Sequence, residues 1–304
     1  MIEERAFTAG LARFFGSARG LEVGIGDDAA VVRNRGAKTV LCCDPVVQGV
    51  HFTAQDAPRD VGRKAVNRNL SDLAAMGAVP DWLLVSLVLP RGFPLARTRA
   101  LLGGIRSAVR QARCTVVGGD VTTGRGPLVV TVTAVGHLPG RALQRRGVRI
   151  GDTLHVTGQL GGSRAGHHLR FRPALREGVW LARQRAVHAA IDVSDGLLLD
   201  LETMLRASGG LGAEIDAAAV PIRGAARRLA GGDGPRALHR ALTDGEDHVL
   251  LWAQAPRAVL PAGGPLAPRA RRPIGRVIAQ RGLWLVREDR RERVEAGGFQ
   301  HGLA

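Results

Sequence analysis

VGRKAVNRNLSDLAAMGAVP, residues Val61 to Pro80, is the stretch on which the reading of this chain turns. Val66, Leu70, Leu73 and Ala74 recur at i, i+4, i+7 and i+8, the spacing of one apolar helix face. Gly77 supplies a left-handed cap and Pro80 cannot continue a helix, so the spacing predicts one amphipathic helix with a clear stop. Ala65, Asn69, Asp72 and Met76 form a second row on the same cylinder. Asp72 therefore stands mid-helix beside small, largely apolar residues. A carboxylate there is solvated, paired or holding a cation. The helix by itself favours a solvated or capping Asp; the rest of the chain shifts that balance.

Upstream, residues 1–20 read as a short helix with Phe7, Leu11, Phe14 and Phe15 on one side. In LEVGIGDDAAVVRN (21–34), Gly24 and Gly26 make a turn before Asp27 and Asp28, and a strand begins at Ala29. Adjacent carboxylates repel and are easiest to keep if one is solvated and the other meets a cation. KTVLCC (38–43) is a buried strand ending at Asp44–Pro45, and His51 follows a bend at Gly49. Downstream, the pattern predicts a strand over 82–89, a helix over 95–113, and a strand over 114–117 that runs into Gly118-Gly119-Asp120. A further strand covers 127–138.

Arg141–Asp152 is polar and turn-rich, and it divides an N-terminal domain (1–140) from a C-terminal one (141–304). In the second half, 153–157 starts a strand and 158–166 is a glycine-rich loop without the Walker spacing. Residues 180–190 read as a helix. AAIDVSDGLLLDL (189–201) reads as a strand ending at Asp192, a Ser194-Asp195-Gly196 turn and a helix over 197–205 that Ser194 or Asp195 can cap. Strands are expected over 211–215, 275–278 and 283–286, and Asp244, Glu246 and Asp247 stand just ahead of another. The fold class is α+β: two α/β-type domains, each a sheet packed with helices.

The chain has 304 residues, 45% of them hydrophobic, enough for real cores. No apolar run approaches a membrane span and 1–20 lacks a signal-peptide core, so a cytoplasmic protein is expected. Cys42, Cys43 and Cys114 form neither a disulfide framework nor a CxxC metal pattern. The net charge of +16 invites a nucleic-acid reading, but aromatic residues make up 4% and Tyr is absent, so a base-stacking platform is poorly supplied. No nucleic-acid or membrane partner is expected. A positive field attracts anionic phosphate substrates equally well.

Asp28, Asp44, Asp72, Asp120, Asp192 and Asp195 stand at element ends or on the capped helix. Hard oxygen donors in such numbers suit Mg²⁺ and do not suit Zn²⁺. No GxSxG elbow and no protein-kinase signature is present. If the chemistry is phosphoryl transfer, then metals, backbone N–H groups and Arg must carry the electrostatics.

GIGDDAAVV (24–32), D-x-x-x-x-GVHF (44–52), NLSDLAAMGAVP (69–80), GGD-x-T (118–122), RALQRRGVRIGD (141–152), IDVSDGLLLDL (191–201) and DGEDHVLL (244–251) together resemble the thiamine-monophosphate kinase family, from about residue 20 onward and in order. That family lies in the ATP-binding superfamily of aminoimidazole ribonucleotide synthetase. The resemblance implies ATP-dependent phosphorylation of thiamine monophosphate to thiamine diphosphate by direct in-line transfer with Mg²⁺, and a homodimer that pairs its N-terminal sheets. It implies metal ligands at Asp28, Cys43, Asp44, Asp72, Asp120, Asp192 and Asp195. Nucleotide contacts fall to Gly119, Asp120, Arg145 and Ser194, and thiamine contacts to His51, Glu246 and Phe299. The alternative is a divergent paralogue with another phosphate or acyl acceptor, or a non-catalytic nucleotide-binding protein. The departures are Cys42-Cys43-Asp44-Pro45 for the family's Ser-Thr-Asp-Thr, Gln48 for an acid, and DGEDHVLL for a GGEDYELL-like stretch. The short 166–172 segment implies a lost helix before the strand that leads into the SDG turn.

Overall fold

The computed structural model describes residues 2–3, 21–23, 27–34, 37–288, 290–300 and 302–303. The helix expected in 1–20, the Gly24/Gly26 turn and His301 lie outside them. The first half runs β1 (Ile2–Glu3), β2 (Leu21–Val23), β3 (Ala30–Asn34), β4 (Ala37–Val47), α1 (Pro58–Ala75), β5 (Val79–Pro90), α2 (Leu95–Ala112), β6 (Thr115–Gly124) and β7 (Val129–His137). Six of these strands form a sheet in the order β2-β3-β4-β7-β5-β6. Its pairs are antiparallel except β5 with β6.

The second half runs β8 (Thr153–Val156), α3 (His167–Arg170), α4 (Leu175–Ala182), β9 (Val187–Asp192), α5 (Leu197–Ala207), β10 (Gly212–Asp216), α6 (Gly224–Leu229), α7 (Gly234–Thr243), β11 (Leu250–Gln254), β12 (Gly275–Ile278), β13 (Gly282–Arg287), β14 (Arg290–Val294) and β15 (Gly302–Leu303). A seven-stranded sheet follows the order β14-β13-β10-β12-β8-β11-β9, parallel only at β10 with β13. β1 and β15 pair as a short antiparallel ribbon. Two mixed sheets packed with helices are the α+β architecture that the periodicities predict.

Helix α1 is where the structure departs most usefully from the amphipathic expectation. Thirteen of its 18 residues are buried, among them Lys64, Asn67, Asn69 and Ser71. Its apolar row packs on the first sheet with Val31, Val40, Val130 and Val132. Its other sides are covered by α2, α4 and β9. Three glycines permit this crowding. A Cβ at Gly62 would fall 2.1 Å from the Leu101 carbonyl oxygen, one at Gly104 would fall 1.9 Å from that of Arg59, and one at Gly178 would fall 2.0 Å from that of Ala74. Backbone thus meets backbone at the α1–α2 and α1–α4 crossings. Gly77, at φ 72°, ends the helix as anticipated.

Other boundaries shift for local reasons. β4 continues through Asp44–Pro45 to Val47, so Asp44 lies inside the strand, paired with Val132, rather than just beyond it. The helix expected over 180–190 is two elements: α4 stops at Ala182, a turn closes with Gln184 N–H donating to Leu181 O (2.9 Å), and β9 follows. Apolar residues at 187, 189, 190 and 191 fit a fully buried strand as well as a helix, and periodicity cannot separate the two. The short segment 166–172 holds only the one-turn α3 ahead of α4.

The crossing of α1 with α2 yields a paired prediction. Gly104→Ala should destabilise the fold by about 2–3 kcal/mol, because its methyl group meets backbone that moves only if the helices part. Gly103→Ala, whose Cβ would meet nothing within 4 Å, should raise stability by about 0.5–1 kcal/mol through helix propensity. Thermal unfolding followed by circular dichroism checks both; equal effects would refute the close-crossing argument.

Candidate functional site

Three carboxylates from three separate elements converge. Asp28 precedes β3, Asp72 is on α1 and Asp192 ends β9, and one oxygen from each lies within 4.8 Å of the others. Each has company. Arg145 forks onto Asp28 (Nη2 to Oδ1 2.7 Å, Nε to Oδ2 3.1 Å). Ser71 Oγ donates to Asp192 Oδ2 (2.8 Å), and His248 Nδ1 stands 3.4 Å from the same oxygen. Burial pushes Asp28 up to about 7 despite Arg145, with the charges of Asp192 and Asp27 adding to the rise. Burial and the charges of Asp44, Asp192 and Asp28 hold Asp72 well above the usual carboxylate range. Burial also opposes ionisation of Asp192, but His248 and Ser71 outweigh it and keep that carboxyl low. Asp28 thus meets a cation, as the adjacency of Asp27 and Asp28 predicts, and that cation is Arg145.

Asp44 lies one strand position beyond Cys43 and receives Arg68 Nε at 3.0 Å, while its backbone N–H donates to Asn69 Oδ1 (2.9 Å). Period-2 alternation turns Cys42 and Asp44 toward α1 and Cys43 away. Cys42 Sγ accordingly donates to Asn69 O (3.3 Å). The Cys43 thiol accepts from Thr133 Oγ1 (3.3 Å) on the opposite, exposed face. The expectation that Cys43 joins the ligand set is therefore corrected: its side chain points away from the carboxylates. Gly119 and Asp120 are likewise not brought to them. They stand exposed on β6, three strands from β4, which at about 4.8 Å per strand is roughly 14 Å.

Beside the carboxylates opens a cleft of about 310 Å³, lined by His51, Arg68, Arg164, Ser194, Asp195, Glu246, His248 and Phe299 among others. It therefore gathers Ser194, Asp195 and all three residues expected to hold the thiamine moiety. On the SDG turn that bears Ser194 and Asp195, Asp200, within α5, accepts from the backbone N–H groups of Ser194, Asp195 and Gly196 (3.0, 3.0 and 3.1 Å). The facing segment carries backbone strain, with Glu246 at φ 66° and His248 at φ 48°. Their N–H groups donate to Ser194 O (2.6 Å) and Val193 O (2.7 Å), which holds the two segments together.

Several site residues lie beyond what spacing revealed. Lys64, fully buried, pairs with Glu246 Oε2 and donates to His51 O (2.6 Å). Burial opposes ionisation of Glu246, yet His248 and Lys64 hold its carboxyl well below the usual range. His248 stacks on Phe171 with centroids 4.1 Å apart. Asp247, also fully buried, accepts from Gly161 N (2.7 Å), Ser163 Oγ and Arg223 Nη2 (2.8 Å), so this acid anchors the glycine-rich loop. For Lys64 a signal was present: Lys64, Arg68 and Asp72 repeat at i, i+4 and i+8 on one helix, and Lys64 is one of only two lysines in the chain.

The arrangement can do two things at once. Oxygen donors in a largely buried, mutually repelling set fit a hard divalent cation, because a cation among them removes the like-charge penalty that raises Asp28 and Asp72. The neighbouring cleft offers cations for anionic groups and an aromatic ring, Phe299, with the Arg164 guanidinium 5.9 Å from its centroid.

Residues 26–138 match the family model described as AIR synthase related protein, N-terminal domain. Over 292 residues the chain is 40% identical to thiamine-monophosphate kinase of Rhodopirellula baltica (strain DSM 10527 / NCIMB 13988 / SH1), covering 92% of this chain and 91% of that one. It is 36% identical over 269 residues to thiamine-monophosphate kinase of Escherichia coli (strain K12), covering 80% of each. Among solved structures, AaThiL complexed with AMPPCP and TMP matches with a TM-score of 0.86 at 28% identity, covering 99% of this chain and 97% of that chain. By sequence and by fold together, the chain belongs to the thiamine-monophosphate kinase family.

Proposed function

We propose that this kinase transfers the γ-phosphoryl group of ATP to thiamine monophosphate, yielding thiamine diphosphate and ADP, with Mg²⁺ held by Asp28, Asp72 and Asp192. The observation that carries this reading is the convergence of those three carboxylates within 4.8 Å beside a cleft containing His51, Glu246 and Phe299. Bound Mg²⁺ would neutralise charge on the transferring phosphoryl group. Asp44 completes the acidic surroundings.

In the proposed reaction an oxygen of the acceptor phosphate attacks the γ-phosphorus in line. The bond from the γ-phosphorus to the bridging oxygen breaks, and ADP leaves with that electron pair. The nucleophile needs no protein base, because a phosphate monoester, with its second pKa near about 6, is largely a dianion at neutral pH. This fits a site furnished with carboxylates and cations. The protein's work is to orient, to exclude water and to offset charge. His51 and Phe299 suit the rings of a thiamine moiety, and Arg145 and Ser194 the nucleotide side. Glu246 supplies negative charge near a cationic thiazolium even though Lys64 shares it.

We also infer a homodimer built on the six-stranded sheet, within an N-terminal domain of residues 1–140 that faces a C-terminal domain of 141–304. Trp82, Leu84, Val117 and Val121 are 55%, 45%, 59% and 62% exposed along β5 and β6. Apolar side chains on an edge strand and its neighbour are an unusual surface for a lone chain. A second copy covering them is consistent with β6 exposing nearly every residue.

Two outcomes are expected. Purified protein given ATP, Mg²⁺ and thiamine monophosphate should form thiamine diphosphate, detected by chromatography, only when all three are present; product without Mg²⁺, or none with all three, contradicts the proposal. Asp72→Asn keeps the shape and removes one charge. It should lower kcat by at least about 100-fold, equivalent to about 2.7 kcal/mol of transition-state stabilisation. The melting temperature measured without metal should stay level or rise, because a repelling charge is gone. Full turnover in this variant would exclude Asp72 from the metal site.

A further inference from the structure

We propose that Arg68 is the residue that grips the phosphate of the acceptor, a role resting on the reading of the cleft as the thiamine monophosphate site. Arg68 stands on α1 one turn before Asp72, so the two are separated along the helix by about 6 Å. Its Nε donates to Asp44 Oδ2 at 3.0 Å, which fixes the guanidinium plane. Among the described residues that is its only hydrogen bond, leaving both Nη groups without a partner there. The side chain is 21% exposed and lines the cleft with His51, Glu246 and Phe299.

The other cations of the cleft are engaged differently. Lys64 is fully buried against Glu246 and the His51 carbonyl. Arg164 Nη2 donates to Val50 O (3.1 Å) and lies beside Phe299. Arg240 Nη1 faces Asp244 at 3.4 Å. Arg68 is thus the cleft cation next to the carboxylates whose paired N–H donors are available. A guanidinium with one edge anchored and two nitrogens presented matches a phosphate bidentately. A phosphate held there lies between the aromatic end of the cleft and the carboxylate cluster, where an attacking oxygen must be. Asp44 keeps the guanidinium from folding onto the three carboxylates and neutralising them.

The test compares binding of thiamine monophosphate and of unphosphorylated thiamine by isothermal titration calorimetry, in wild type, Arg68→Gln and Arg68→Lys, at fixed Mg²⁺. Loss of a bidentate charged contact should weaken thiamine monophosphate binding by about 30-fold in Arg68→Gln. Thiamine binding should be unchanged, and Arg68→Lys should recover part of the loss. In turnover, KM for thiamine monophosphate should rise while KM for ATP holds. Equal weakening of both ligands, or none, overturns the role of Arg68 while leaving the proposed reaction standing. Failure of the wild-type protein to bind thiamine monophosphate at all overturns both.

Discussion

Three carboxylates cannot share one largely buried corner without help, and much of this structure is arranged around that constraint. At the effective dielectric of a protein site, two unit charges about 4–5 Å apart repel by roughly 3–4 kcal/mol. Three such pairs rival the whole stability of a domain, about 5–15 kcal/mol. Asp28, Asp72 and Asp192 therefore do not all ionise unaided. Arg145 offsets Asp28, Ser71 and His248 offset Asp192, and Asp72 is left raised by its neighbours. The arrangement stores binding energy for a cation. A carboxylate that repels its neighbours in the free protein gains most when a metal enters, which is how a fold gives up stability for function.

Helix α1 carries the arrangement because it touches both sheets. Its apolar row holds to the first sheet, and Ser71 reaches the Asp192 that ends β9 in the second. Only a helix crowded on every side can place one carboxylate and two cations, Lys64 and Arg68, between separate sheets. The glycines at 62, 104 and 178 make that crowding sterically possible. Remote backbone contacts therefore set the geometry of the site: a small parting of α1 from α2 would move Asp72 relative to Asp28 and Asp192.

Much of this was legible beforehand, and the gaps have physical reasons. The boundaries of α1 and α2, the left-handed Gly77 and the strand ending at Asp192 follow from periodicity and turn chemistry. The convergence of Asp28, Asp72 and Asp192 was reachable only through the resemblance, since spacing along a chain says nothing about elements 44 and 120 residues apart. Cys43, implied as a ligand by the resemblance, does not join the carboxylates because strand alternation turns Cys42 and Asp44, not Cys43, toward α1. Asp200, which spacing did not single out, holds the SDG turn, since one carboxylate from within the helix reaches three N–H groups at once. Lys64 and His248 were hidden because a charged residue on an otherwise helical pattern reads as solvated until its partner, contributed by a distant segment, is known.

The most direct measurement is anomalous diffraction from crystals grown with Mn²⁺ and a non-hydrolysable ATP analogue. The proposed site predicts a manganese peak among the carboxylates of Asp28, Asp72 and Asp192, adjoining the nucleotide phosphates. Phosphates bound with manganese elsewhere, or with none at those three carboxylates, would contradict it.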